Sequence, residues 1–80
     1  MATRDTPEEI ISRMVGVLRA ERLRQGLSQN EVAKRSQLSH TMVMRVEKQE
    51  RMPTVDTLLR ICAALDIELW KVLKSVSTKT

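Results

Sequence analysis

The chain has 80 residues, enough for one domain, and at 41% hydrophobic and 30% charged residues it is too apolar to be disordered. The chain has a single aromatic residue, which argues against a β-sandwich or barrel. It also has a single cysteine, which excludes an internal disulfide and a zinc site built on paired cysteines. Fourteen Lys and Arg against ten Asp and Glu leave a net charge of +4, which favours a polyanionic partner.

The first predicted helix follows a polar segment, residues 1–6, that we expect to be a flexible N-terminus. The residues at 6–9, Thr-Pro-Glu-Glu, have the pattern of a capping box. Apolar residues at helical spacing continue to Gly26, so we predict a helix over 7–25 that ends in a left-handed glycine cap. Gly16 inside this helix marks either a close packing contact or a tolerated cost of about 1 kcal/mol relative to alanine.

Two short helices are predicted next. A second capping box, Ser-Gln-Asn-Glu at 28–31, starts a helix over 29–36. After a turn, Ser39 caps a third helix over 40–48, in which Val43 and Val46 form the inward stripe.

Two further helices complete the chain. Thr54 caps a helix over 55–65, and Asp66 is the candidate cap of a fifth over 67–76, before a polar tail at 77–80. The fold class is therefore all-α, with a single domain over 7–76 and no strand. The apolar residues expected to face inward are Val55, Leu58, Leu59, Cys62 and Leu65 on the fourth helix, and Leu69, Val72, Leu73 and Val76 on the fifth.

The central unit, residues 29–48, is a helix, a tight turn and a helix, which is typical of a helix-turn-helix. It lies within a longer pattern: LRxxRxxxGLSQxxVA at 18–33, LSxxxVxRVE at 38–47 and RxPTxxTLxxIxxAL at 51–65. In these residues the chain resembles the phage repressor/Cro family of DNA-binding domains, the xenobiotic-response-element type. The resemblance covers roughly 14–73 and implies a compact five-helix bundle of the lambda-repressor-like type.

The sequence departs from the family pattern at two turns. The family usually has glycine where Gln37 and Gln49 stand. A residue other than glycine in a left-handed conformation costs about 1–2 kcal/mol, so we expect strain in both loops and no change in the fold.

The resemblance implies a transcription regulator, in the first place a repressor, that binds a double-stranded operator as a homodimer with helix 40–48 in the major groove. Arg45 is the best candidate for direct readout, because a guanidinium fits the O6 and N7 atoms of guanine. Gln29 stands where the family anchors a phosphate, at a helix start that favours anions. The expected base-reading residues are His40, Thr41, Met44 and Arg45, and the expected phosphate contacts are Gln29, Lys48 and Arg51.

Several of these residues also have ordinary structural interpretations. His40, Arg45, Lys48 and Arg51 are side chains that a solvated surface carries without any role, and a single exposed methionine such as Met44 is common.

Two further pairs of residues have predicted structural roles. The resemblance places Arg22 and Glu47 as an ion pair that joins the first and third helices. Trp70 is interpreted either as core padding or, with Leu73, as part of a dimer interface, where tryptophan is favoured.

No enzymatic function is expected. The only histidine lies on the candidate reading face, and the chain lacks the residues for a nucleophilic triad, a metal site or a glycine-rich phosphate loop, so we predict neither a metal nor a cofactor. No apolar run approaches the roughly 20 residues of a membrane span and no signal peptide is present, so we expect a cytoplasmic protein. The alternative function is an interaction module that binds a protein partner, such as an antitoxin with its toxin.

Overall fold

The computed structural model describes residues 5–77, and this part of the chain forms five α-helices and no strand. The predicted all-α fold class is therefore confirmed. Residues 1–4 and 78–80, most of the predicted N-terminus and tail, lie outside the described residues. The helices are α1 (Pro7–Arg24), α2 (Gln29–Ser36), α3 (His40–Glu47), α4 (Val55–Ala64) and α5 (Leu69–Ser77).

The first four helices begin where their caps predict. The hydroxyls of Thr6, Ser28, Ser39 and Thr54 each accept a hydrogen bond from the backbone N–H three residues further on. At Thr6 and Ser28 the glutamate at that third position also accepts from the cap's own N–H, which completes the two predicted capping boxes. These local hydrogen bonds satisfy N–H groups that the first turn of a helix leaves without a partner.

The same four helices also end alike. In each, a residue with positive φ follows the last turn, and the N–H of the next residue bonds to the carbonyl five positions earlier. The predicted glycine cap of α1 is confirmed, and Gln37 and Gln49, where the family pattern has glycine, keep the left-handed conformation. The residues and their φ angles are Gly26 at 72°, Gln37 at 61°, Gln49 at 61° and Asp66 at 59°.

The predicted role of Asp66 as the cap of the fifth helix is wrong. Its left-handed backbone instead closes α4, with the Ile67 N–H 3.0 Å from the Cys62 carbonyl oxygen. An N-cap residue needs an extended backbone, which Asp66 does not have. The fifth helix consequently begins at Leu69, two residues later than predicted.

The core lies where α2 packs on α3 and α4, and where α1 packs on α5 and α3. Val32, Val43 and Val46 are each only 1% exposed. Cys62 is also buried, and burial raises the pKa of its thiol, so it behaves as a small apolar side chain. The full set of buried apolar residues is Met14, Val15, Leu18, Val32, Ala33, Val43, Val46, Leu58, Ile61, Cys62, Ala64, Leu65, Val72 and Val76.

Five residues that the apolar pattern places inward are exposed, among them Val17 and Leu23 on α1, at 36% and 52%. Val55 and Leu59 on α4 are 65% and 51% exposed, and Leu73 on α5 is 44% exposed. The apolar faces of α4 and α5 are wider than the neighbouring helices cover, so one edge of each remains at the surface. Trp70 is 58% exposed, which rules out its interpretation as core padding.

Candidate nucleic-acid interface

The helix-turn-helix consists of α2, a turn at residues 37–39 and α3. The left-handed Gln37 reverses the chain, and the extended Ser39 then caps α3 by accepting from the Met42 N–H at 3.0 Å. Val43 and Val46 fix α3 to the core by one stripe. The face of α3 that carries His40, Thr41 and Arg45 lies at the surface of the molecule.

The residues predicted to read bases lie together on this outer side. His40, Thr41 and Arg45 are exposed, and Met44 is half-buried. Thr41, Arg45 and Lys48 are spaced four and three residues apart, which aligns them along one face of α3. A long basic side chain thus projects from an exposed helix face that also carries smaller polar and apolar groups, a combination suited to base edges in a groove.

Three basic residues of α3 and the turn after it form no ion pair within residues 5–77. Within residues 5–77, no carboxylate lies within 4 Å of the charged groups of Arg45, Lys48 or Arg51. Elsewhere several basic residues pair with a carboxylate three or four residues away in the sequence: Arg24 with Glu21, Arg60 with Asp56 and Lys71 with Glu68. Positive charge that no carboxylate of residues 5–77 neutralises therefore lies at α3 and the turn after it, and also at Lys34 and Arg35 on α2, where it can attract phosphates.

Arg22 and Glu47 lie in contact beneath this surface. The Nε atom of Arg22 is 2.7 Å from one carboxylate oxygen of Glu47 and its Nη2 atom is 2.8 Å from the other, while Nη1 donates to the Leu27 carbonyl. Each of the two side chains is 9% exposed. The bidentate geometry ties α1 to the end of α3.

The protonation of Glu47 is decided by competing influences. Burial alone would raise the pKa of its carboxyl, but hydrogen bonds from Arg22 and Gln29 and the charges of Arg22 and Arg19 outweigh burial. The pKa of Glu47 is consequently held below its ordinary value, so this residue is a carboxylate at neutral pH.

The structure gives Gln29 an internal partner that the sequence did not indicate. Its amide Nε2 donates to Glu47 at 3.0 Å, which places the half-buried side chain against the end of α3. The amide carries a second N–H, and the backbone N–H groups of Gln29 and Asn30 belong to the first turn of α2, which has no internal acceptors for them. The side chain of Gln29 is thus held by Glu47, while its backbone lies in the first turn of α2, a place that favours an anion.

Lys48 and Arg51, the other two predicted phosphate contacts, flank the turn between α3 and α4. Lys48 is the C-cap of α3, and both residues are exposed. They therefore extend the basic surface of α3 towards α4.

Sequence reasoning missed two features of this region. Arg19 lies one turn before Arg22 and its Nε is 3.9 Å from Glu47, a proximity that the three-residue spacing on α1 already indicated. Ser12 and Gln49 are joined by hydrogen bonds across 37 residues of sequence, for which no local pattern exists.

Two kinds of site are absent from the described chain. None of its helices combines the length and apolar character that crossing a membrane requires. Residues 5–77 also contain no group of three or more His, Cys, Asp or Glu side chains placed to hold a metal ion.

Two short helices at the surface of an all-α fold, the second with an outer basic face, define a helix-turn-helix DNA-binding domain. A family model described as helix-turn-helix matches residues 18–69, more than half of the chain. The protein belongs to this family, of the Cro/C1 type, and is thereby a DNA-binding transcription regulator. Comparison with curated proteins and with solved structures finds no match.

Proposed function

We propose that the protein is a cytoplasmic repressor that binds a specific double-stranded operator as a homodimer, with α3 of each protomer in the major groove. The observation that carries this proposal is the outer side of α3, where exposed groups able to contact bases stand beside basic residues that no carboxylate of residues 5–77 neutralises. A major groove is wide enough to admit one α-helix. Bound there, a helix reads the sequence through hydrogen bonds to base edges.

The base-reading residues are His40, Thr41, Met44 and Arg45. Arg45 has the strongest chemistry for this role, because two of its N–H groups match the two acceptors of guanine. His40 and Thr41 lie at the start of α3, the end that approaches bases in helix-turn-helix complexes, and Met44 offers an apolar contact for a thymine methyl.

Phosphate contacts hold this helix in register. Gln29 reaches the backbone from the start of α2, and Lys48 and Arg51 reach it from the turn after α3. These residues lie on either side of the base-reading face, so they would contact the DNA backbone at its two flanks.

A homodimer is supported by an exposed apolar surface formed by α4, α5 and the loop between them. We call it the α4–α5 surface. It contains a cleft whose lining residues include Leu59, Ala63, Ile67, Trp70 and Leu73. Contiguous apolar patches on small soluble proteins mark interaction sites, and tryptophan is a favoured anchor. Two protomers joined there would present two α3 helices to half-sites about 34 Å apart.

Selection of bound duplexes from a random DNA library tests the proposal. We expect enrichment of one sequence with two-fold symmetry and half-sites about one helical turn apart. Recovery of duplexes without a shared sequence would contradict a specific operator, and enrichment of a single half-site would contradict the homodimer.

Two variants sharpen this selection. Arg45→Ala should lose the enrichment at one base position in each half-site. Arg24→Ala removes the same charge from an exposed site on α1 and should keep the full pattern. Equal loss of pattern in both variants would show that net charge, and not the α3 face, governs selection.

A further inference from the structure

The turn between α3 and α4 is strained at one residue. Gln49 follows the C-cap of α3 with φ at 61°, a conformation that L side chains rarely adopt and that glycine accepts freely. Lys48 immediately precedes it and Arg51 lies two residues later. Both proposed phosphate contacts on this flank therefore depend on how the turn is held.

The Gln49 side chain fastens this turn to α1. Its Oε1 atom accepts from the Ser12 hydroxyl at 2.6 Å, and its Nε2 atom donates to the Ser12 backbone carbonyl oxygen at 3.3 Å. Both polar ends of the amide are thus used by one residue of α1. Ser12 and Gln49 also line the same cleft as Arg51, so the contact lies next to a proposed phosphate-binding side chain.

Stability does not account for a glutamine at this position. The two hydrogen bonds are exposed to solvent, where they replace bonds to water with little net gain. The left-handed backbone is at the same time less favourable for glutamine than for glycine. What the side chain adds is a fixed position of the turn relative to α1.

Gln37 provides an internal comparison. It has the same residue type and the same φ of 61°, at the end of α2. Its side chain receives a 3.4 Å contact from Arg60 and has none of the two-way bonding seen at Gln49. Gln37 and Gln49 therefore share the strained backbone, but only Gln49 is connected to α1.

We propose that Ser12 and Gln49 are positioning residues for DNA binding: their paired hydrogen bonds hold the α3–α4 turn in the conformation that presents Lys48 and Arg51 to the DNA backbone. This inference rests on the proposed function. Neither residue needs to touch DNA, since each acts through the turn.

The test compares Ser12→Ala and Gln49→Gly with the wild type, using the full chain and a selected duplex at several salt concentrations. Each variant should weaken binding by roughly three- to tenfold, and the double variant should lose no more than the stronger single one. The salt dependence should fall by about one unit as a phosphate contact is lost. Melting temperatures should not fall, because Ser12→Ala favours the helix and Gln49→Gly relieves strain.

Gln37→Gly is the matched control: it relieves the same backbone strain without removing the bonds to Ser12, so hydrogen exchange at the Glu50 N–H of the α3–α4 turn should stay as in the wild type. Tight binding by Ser12→Ala would overturn the proposal, even if Gln49→Gly were weakened, because Gln49 would then act on DNA directly. Additive losses in the double variant would overturn it as well.

A second measurement separates this inference from the proposed function. The Glu50 N–H bonds to the Arg45 carbonyl oxygen at 2.9 Å within the turn, and its hydrogen exchange should accelerate in Ser12→Ala without any DNA present. Unchanged exchange would overturn the positioning role. A wild-type protein that selects no duplex would instead overturn the proposed function.

Discussion

Glu47 is the residue on which three helices converge. It belongs to α3, receives a bidentate contact from Arg22 on α1 and accepts a third hydrogen bond from Gln29 on α2. Arg19 adds a second positive charge at 3.9 Å. This carboxylate therefore connects the positions of α2 and α3 to α1.

Glu47→Ala should destabilise the fold by about 3–5 kcal/mol, because Arg22 would remain buried without its partner. Urea unfolding measures the loss. Glu50→Ala is the control: it removes an exposed glutamate from the adjacent turn and should change stability by less than about 0.5 kcal/mol. Equal effects of the two substitutions would contradict a structural role for the Arg22–Glu47 contact.

The lowered pKa of Glu47 also predicts a pH dependence. A carboxyl whose pKa is lower in the folded than in the unfolded state stabilises the fold above its unfolded-state pKa, and this contribution disappears as pH falls through the folded-state value. The wild type should therefore lose more stability in acid than Glu47→Gln does. Parallel curves of melting temperature against pH would contradict this expectation.

Arg45→Ala should remove about 1–3 kcal/mol of discrimination at one base position, since a bidentate contact to guanine is lost. Binding to the selected operator is compared with binding to a duplex altered at that position. Equal loss of affinity for both duplexes would show that Arg45 contacts only the backbone.

Arg51→Ala should weaken binding to all duplexes alike and reduce the salt slope by about one unit, because a phosphate contact carries no sequence information. The measurement is the dissociation constant against salt concentration for the operator and for an unrelated duplex. An unchanged slope would place Arg51 away from the DNA.

At the scale of helices, the first four starts were predictable, whereas the end of α4 and the start of α5 were not. Ser28 and Ser39 cap their helices through hydrogen bonds three residues apart, which a local pattern contains. The turn after α2 was predicted because Ser39 has the pattern of a new helix cap, and only the family's glycines marked Gln37 and Gln49 as unusual turn positions. At Asp66 no sequence pattern indicated a left-handed conformation. The predicted start of α5 at residue 67 was therefore two residues earlier than the observed start at Leu69.

Gly16 illustrates a question that the structure decides. The sequence left open whether something packs closely against it, and apart from its chain neighbours and the adjacent backbone of α1 no atom lies within 4 Å of where a Cβ would stand. Gly16→Ala should therefore stabilise the protein by about 0.4–1 kcal/mol through helix propensity and reduced freedom of the unfolded chain. Thermal unfolding measures this gain, and a lower melting temperature would contradict the open surroundings of Gly16.

At the scale of the molecule, periodicity predicted the core of α2 and α3 but not which edges stay exposed. Val32, Val43 and Val46 are buried as expected, whereas Leu59 and Leu73 lie at the surface. Exposure depends on which helix covers a given edge, and that is a property of the assembled fold. The contact between Ser12 and Gln49 was unpredictable for the same reason.

Trp70→Ala should weaken self-association at least about tenfold, because tryptophan anchors dominate interfaces. Sedimentation over a range of concentrations measures the change. Leu23→Ala is the matched control, since Leu23 is 52% exposed on α1 and does not line the cleft of the α4–α5 surface. A dimer that survives Trp70→Ala unchanged would contradict the α4–α5 surface as the interface.

A crystal structure of the protein bound to its selected duplex tests the central claim most directly. It should show α3 in the major groove, with the Arg45 guanidinium within hydrogen-bond distance of a base edge. A complex in which the outer side of α3 faces solvent would contradict the claim.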